Sequence, residues 1–315
     1  MMRIVLVLSA ILSLASCCPP AESLHPCTCE ADDSSFIEEV TCFSLENEID
    51  LKNAAAACKN RPIIQNFKII DSALNYIPDS TFEGTFFRVI EIKGTTLVSI
   101  GEKEKAFAGL EHTLNTLALR KNVFMGPWNW SALKGLKSLN FLMFNEMELQ
   151  SIETDIERIS FLNGVDLSKN EISWIDEQAF SKFWNMTYLI LAENGIKDVK
   201  RSMFPNPASM LKLISLRDNQ IETLPNDMFQ EMPKLETFLI AHNHILTLDE
   251  KTFSSIWKQL GFLDLEDNHL ACDCRISWII NTKFPRATVG FCSEPPHLEG
   301  KNLTKLSAKD LWCFM

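Results

Sequence analysis

Cysteine is absent from residues 59–271 of this 315-residue chain, although the chain carries ten. Six stand before that stretch, at Cys17, Cys18, Cys27, Cys29, Cys42 and Cys58, and four after it, at Cys272, Cys274, Cys292 and Cys313. A redox or metal-binding enzyme would not divide its thiols between the two ends. Disulfide-stapled caps in an oxidising compartment would. Positive charge is also scarce: 30 Lys and Arg against 41 Asp and Glu leave a net charge of −11. Nucleic acids and anionic membranes reward clustered Lys and Arg, so neither is an expected partner. Histidine occurs only six times, and no Gly-rich phosphate loop, nucleophile elbow or zinc-protease motif is present. The chain therefore reads as non-catalytic, with no cofactor and no metal. Beyond residue 15, no apolar run is long enough to span a bilayer. Apolar content is ordinary for a folded protein, which excludes global disorder.

What is abundant is a period. In residues 162–180, LNGVDLSKNEISWIDEQAF, apolar side chains at Leu162, Val165, Leu167 and Ile172 and a polar Asn170 follow L-x-x-L-x-L-x-x-N-x-L. The same pattern starts at Ile64, Phe87, Leu114, Leu139, Leu162, Met186, Leu211, Leu235 and Leu260, at intervals of 23 to 27 residues, with positions 1, 4, 6 and 11 apolar each time. This is the leucine-rich-repeat signature. The expected fold is an α/β solenoid, a horseshoe of about nine repeats with a parallel concave sheet. Positions 3 to 7 form each short strand, and positions 4 and 6 face inward.

Position 9 is Asn122, Asn170, Asn194, Asn219, Asn243 and Asn268 in six copies, placed to hydrogen-bond the turning backbone of its own and the adjacent repeat. Ser72 and Thr95 would do so weakly. Met147 would not, so the fourth repeat is expected to be irregular. Phe82, Phe107, Phe180, Phe204, Phe229 and Phe253 recur on the far side of the unit as a phenylalanine spine. The insert of residues 125–135 brings Trp128 and Trp130, which are expected to pack the convex side.

The chain divides accordingly. Residues 1–15 read as a secretory signal peptide, with Arg3 before an apolar run and Ser13-Leu14-Ala15 as the cleavage site. A lipoprotein box ending at Cys17 is the rival reading. Residues 16–58 form a cysteine-rich cap, 59–271 the repeats and 272–315 a second cysteine-rich cap. The mature product is expected to be soluble, secreted and without a glycolipid-anchor tail. The caps have a physical purpose: an end repeat has no neighbour to cover its apolar edge and unpaired strand.

The run Cys18…Cys27-Thr28-Cys29…Cys42 resembles the N-terminal cap of extracellular leucine-rich-repeat proteins. Cys272-Asp273-Cys274 with Trp278, Cys292, Pro295-Pro296 and Cys313 resembles their C-terminal cap. That resemblance implies pairs Cys18–Cys29, Cys27–Cys42, Cys272–Cys292 and Cys274–Cys313; sequence alone leaves three pairings open at each end. Cys17 and Cys58 fall outside it, either paired with each other or parted by cleavage after Cys17. The arrangement is further similar to arthropod proteins of the type of the Oplophorus-luciferin 2-monooxygenase non-catalytic subunit. This implies a partner-associated secreted protein.

Outward-pointing positions 3, 5 and 7 locate a binding face. Phe141, Met143, Tyr188, Ile190, Leu213, Leu239 and Phe262 form an apolar central to C-terminal part, interrupted by Gly164 and Asp166. Lys68, Glu91, Lys93 and Arg120 make the N-terminal part charged. Nothing in a solenoid needs large apolar groups there, so the patch is expected to hold an extracellular protein or a second copy of the chain. Two functions fit: a protein-binding scaffold, or an accessory subunit stabilising a separate secreted enzyme such as a luciferase-like monooxygenase. His242, His244, Asp267 and His269 stack at one edge, in an arrangement of the kind that holds a divalent metal, but nothing beside them supplies a reaction, and they read as a solvated turn. Asn129, Asn185 and Asn302 head glycosylation sequons.

Overall fold

The computed structural model describes residues 18–31, 38–103, 105–311 and 313; the signal segment expected at 1–15 and Cys17 lie outside them. Twelve strands form one sheet whose spatial order is the chain order. They are Cys27–Ala31, Glu38–Phe43, Ile64–Ile70, Val89–Lys93, Thr116–Arg120, Phe141–Asn145, Gly164–Asp166, Tyr188–Ile190, Leu213–Ser215, Thr237–Leu239, Phe262–Asp264 and Ala287–Val289. The first two pair antiparallel, and each later neighbour pairs parallel. Parallel neighbours require a long return path, and each repeat supplies one along its convex side. The strands fill positions 3 to 7 in repeats two to four and only positions 3 to 5 from repeat five onward.

Signature positions 1, 4, 6 and 11 face the core. They are buried in every copy except at Phe124 and Leu149, position 11 of repeats three and four, which are half-buried. Position 9 asparagines form the expected ladder. Asn219 is typical: its Oδ1 accepts from the Ile196 amide at 3.0 Å, and its Nδ2 donates to the Leu191, Leu216 and Arg217 carbonyls at 2.9 to 3.1 Å. One side chain thus satisfies buried backbone groups of two repeats. Ser72 and Thr95 make reduced versions of the same contacts, Ser72 accepting from the Leu45 amide and Thr95 from the Ser72 amide.

Position 8 carries a feature the sequence reading missed. It is left-handed in all nine copies: Asp71, Gly94, Lys121, Glu146, Lys169, Glu193, Asp218, His242 and Asp267. Only one of these is glycine. A left-handed side-chain-bearing residue is unfavourable by itself; here the asparagine bonds of position 9 and the cross-repeat backbone bonds hold the turn. Repeat four is irregular, as expected from Met147. It has a second left-handed residue at Glu148, and the Met147 thioether takes the place of an amide beside the Asn122 nitrogens. The strand ladder nevertheless continues through it without a shift.

All six spine phenylalanines are buried, with Phe82 stacked on Phe107 and Phe229 against Phe253. Trp128 and Trp130 lay their rings on Phe144, at centroid distances of 4.8 and 5.3 Å, and so join the core.

The ends are closed by local structure. Disulfides join Cys18 to Cys29 and Cys27 to Cys42 around the first hairpin, and Cys272 to Cys292 and Cys274 to Cys313 at the other end. Helix Glu48–Ala57 follows the hairpin; the Asn47 side chain caps it by accepting from the Asp50 amide at 2.9 Å. Cys58 just after it is an unpaired, buried thiol donating to the Ala54 carbonyl. Burial pushes that thiol up to about 12, against the opposing pull of Arg61. In the C-terminal cap, the Trp278 indole donates to the Leu248 carbonyl at 2.8 Å, tying the cap to repeat eight.

Candidate binding face

Strand register sets which outward side chains meet. The row at position 3 runs Phe141, Gly164, Tyr188, Leu213, Thr237, Phe262. The row at position 5 runs Met143, Asp166, Ile190, Ser215, Leu239, Asp264. Phe141 and Tyr188 are exposed, at 37% and 39%, more than any other apolar group of these two rows. Met143, Ile190, Leu213, Leu239 and Phe262 are half-buried among their neighbours.

The structure corrects the expectation that Gly164 interrupts this patch. A Cβ on Gly164 would lie 2.6 Å from Phe141 Cδ1 and 3.7 Å from Tyr188 Cδ2. The missing side chain lets the two rings lean across the intervening strand to 6.4 Å. Glycine therefore joins the aromatic groups. Asp166 remains polar but is engaged locally, accepting from the Ser168 amide and hydroxyl at 2.9 and 2.6 Å.

Arg217, at position 7 of repeat seven, reaches over repeat eight to form an ion pair with Asp264, which is only 4% exposed. In the strand register Thr237 lies between Leu213 and Phe262, and Ser215 between Ile190 and Leu239.

The N-terminal charges also engage each other. Lys68 lies 2.8 Å from Glu39 and 4.0 Å from Glu91, which is 3.6 Å from Arg120. Arg120 also donates to the Met143 sulfur at 2.8 Å, where the charged and apolar parts meet. Sequence reasoning missed Phe43, which is 52% exposed on the cap strand and continues the outward row beside Ile70. Its signal was the short Val40-Thr41-Cys42 alternation before it, which places Phe43 on the same face as Thr41.

Away from this face, His242 Nδ1 lies 3.2 Å from Asp267, and the His244 and His269 rings stack at 5.2 Å. Repeat stacking does bring each pair together. Among the described residues, the group of three ligand-type side chains that converges is instead Cys18, Cys29 and Glu38, and its two sulfurs are bonded to each other. The sequon residues Asn129 and Asn185 are exposed and Asn302 half-buried; the Asn129 and Asn302 side-chain oxygens cap the short turns that follow them.

The family description "Leucine rich repeat" matches residues 184–245 and 209–270, and "BspA type Leucine rich repeat region (6 copies)" matches residues 75–206. The chain belongs to the leucine-rich-repeat family. It is similar to the Oplophorus-luciferin 2-monooxygenase non-catalytic subunit of Oplophorus gracilirostris, at 23% identity over 95% of this chain and 88% of that protein. Human keratocan is 29% identical over 44% of each chain. Among solved structures, a chain from the octameric complex of Latrophilin 3, Unc5D and FLRT2 (LRR) superposes with a TM-score of 0.63 at 20% identity, covering 87% of this chain and 90% of that one. That likeness concerns the fold, a leucine-rich-repeat solenoid with disulfides near both ends. No helix among the described residues is long and apolar enough to cross a membrane.

Proposed function

We propose that this chain is a secreted, non-catalytic scaffold that recognises an extracellular protein through its concave face. The observation that carries the reading is the exposed Phe141–Tyr188 pair closed over Gly164. Neither ring fills the core, and exposed aromatic anchors ringed by half-buried aliphatic groups typify protein-binding centres. The charge row from Glu39 to Arg120 forms a polar flank beside it, suited to orienting a partner more than to adding affinity.

A second reading has its own support. The similar Oplophorus protein is named a non-catalytic subunit and is matched over nearly its whole length. On this reading the partner is a separate secreted enzyme that the scaffold stabilises. Both readings need the same face. Replacing Phe141 and Tyr188 together by Ala should weaken a captured partner by about 2 kcal/mol or more while leaving circular dichroism and melting unchanged. Unaltered affinity of the folded variant would remove the concave face from consideration. Co-purification from the native secretion then separates the readings: an enzyme recovered in fixed stoichiometry supports the subunit, and a self-complex supports a second copy of this chain.

A further inference from the structure

The net charge of −11 conceals an uneven distribution of cations. Lys68, Arg120, Lys169, Lys200, Arg217 and Lys301 each pair with a carboxylate. A different group stands on the flank where the chain enters each strand, from repeat seven to the C-terminal cap. It comprises Lys212, which is half-buried, and the exposed Lys234, Lys258, Lys283 and Arg286. Among the described residues, none of these five has a carboxylate within ion-pair distance; the Lys234 ammonium instead lies 3.4 Å from the Met210 sulfur. Strand register gathers them. Lys212 stands next to Glu236, Glu236 next to Gly261 and Gly261 next to Arg286, each one residue before a paired strand position. Lys258 and Lys283 each stand four residues before the paired Phe262 and Ala287, and so are neighbours too. At the usual strand spacing the row from Lys212 to Arg286 covers about 14 Å.

Between repeat nine and the cap this flank opens into a cleft of about 910 Å³. Lys258, Lys283 and Arg286 line it, together with Gln259, Phe284 and a single carboxylate, Glu236. Gly261 puts no side chain between Glu236 and Arg286. Like charges grouped without partners repel one another and weaken the folded state; an anionic ligand removes that repulsion. The excess acid elsewhere on the molecule does not, because the screening length at physiological salt is only about 8 Å. Met210, 39% exposed, is the one large exposed apolar group on this stretch. A protein partner normally needs an apolar centre inside its polar rim, and this flank offers none. A hydrophilic chain carrying anionic groups at intervals fits it better.

We propose that this flank binds a sulfated polysaccharide, with sulfate groups seated on Lys258, Lys283 and Arg286 and the chain running on toward Lys234 and Lys212. The choice of an extracellular polymer rests on the secreted reading above; the protein-binding reading is tested at Phe141 and Tyr188, so the two can fail separately. Heparin is the probe. The wild-type chain should bind it saturably in about 0.15 M NaCl and release it as salt rises, since neutralising a polyanion frees its condensed counterions. Replacing Lys258, Lys283 and Arg286 together by Ala should weaken binding about tenfold or more. It should also flatten the slope of log affinity against log salt concentration by about one for each cation removed. Glu236→Gln takes away the carboxylate in the cleft and should tighten binding about twofold. Absence of saturable binding by the wild-type protein overturns the proposal, as does equal affinity in the folded triple variant. Single-stranded DNA or polyglutamate binding as tightly as heparin also overturns it, the latter by assigning the flank to an acidic protein segment. If the triple variant does not fold, unchanged or weaker heparin affinity in Glu236→Gln overturns it instead.

Discussion

Single residues hold this solenoid together through backbone groups they satisfy in two repeats at once. Asn219 is 6% exposed and makes four hydrogen bonds to main-chain groups. Asn219→Leu should cost about 2–4 kcal/mol, because it leaves the Ile196 amide and several carbonyls buried without partners. Urea denaturation checks this; a loss below 1 kcal/mol (about the value of one ordinary net hydrogen bond) would mean that the turn finds other partners. Gly164 is the counterpart on the binding face. Gly164→Ala places a methyl 2.6 Å from the Phe141 ring, so the ring must swing away from Tyr188. The variant should fold normally and bind its partner about as weakly as Phe141→Ala. Affinity equal to wild type would mean that the aromatic pair does not act as a unit.

Among elements, the C-terminal cap relies on side-chain bonds to Asp310, and the junction of repeats three and four has no backbone bond along one flank among the described residues. In the C-terminal cap, hydrogen bonds from Lys301 and from Ser307 hold the Asp310 carboxyl down to about 2 from an ordinary 3.8. A depressed folded-state pKa adds stability above the unfolded value and loses it as pH falls. Asp310 thus supports the cap fully at neutral pH, and its contribution fades between about pH 4 and pH 2. Cleavage of residues 300–311 by pepsin should rise in wild type as pH falls through that window by more than pepsin's own pH dependence, whereas Asp310→Asn, which lacks the titrating group, should show no such extra rise. Identical profiles would remove Asp310 as the cause. At the repeat junction, amides of residues 148 and 150 should exchange with solvent faster than those of 171 and 173, which cross-repeat backbone bonds protect. Hydrogen exchange read by mass spectrometry tests this, and equal protection would mean that the flank closes in solution.

At the scale of the whole molecule, four disulfides clamp the two ends of a stack whose repeats contact only their neighbours. Replacing Cys272 and Cys292 by Ala should cost about 2–4 kcal/mol and expose the edge of repeat nine, readable as a lower melting temperature and new oligomers by light scattering. Passage through a secretory pathway would also bring Asn129, Asn185 and Asn302 to the glycosylating enzymes. Asn185 is exposed and its side chain caps no turn, so it is the sequon expected to be occupied first. Glycosidase treatment of the native protein should increase its gel mobility, and no change would leave the sequons unused.

The sequence alone determined the repeat, its register, the buried positions and the asparagine ladder. Each of these follows from a local rule applied at a fixed period: an apolar residue at position 4 or 6 must face inward wherever copies stack, and a position 9 amide must meet the turn beside it. The anomaly at Met147 was legible for the same reason, since a thioether has no N–H to donate to the turning backbone. The left-handed position 8 was not legible, because eight of its nine residues carry side chains and only Gly94 marked the turn. The outward faces were named residue by residue, but their grouping was decided only in three dimensions. Gly164 read as a gap until the Phe141 and Tyr188 rings were seen to close over it. The ion pair that Arg217 makes with Asp264 across repeat eight was likewise not legible. Side-chain reach across strands depends on sheet spacing and rotamer, and one-dimensional periodicity contains neither.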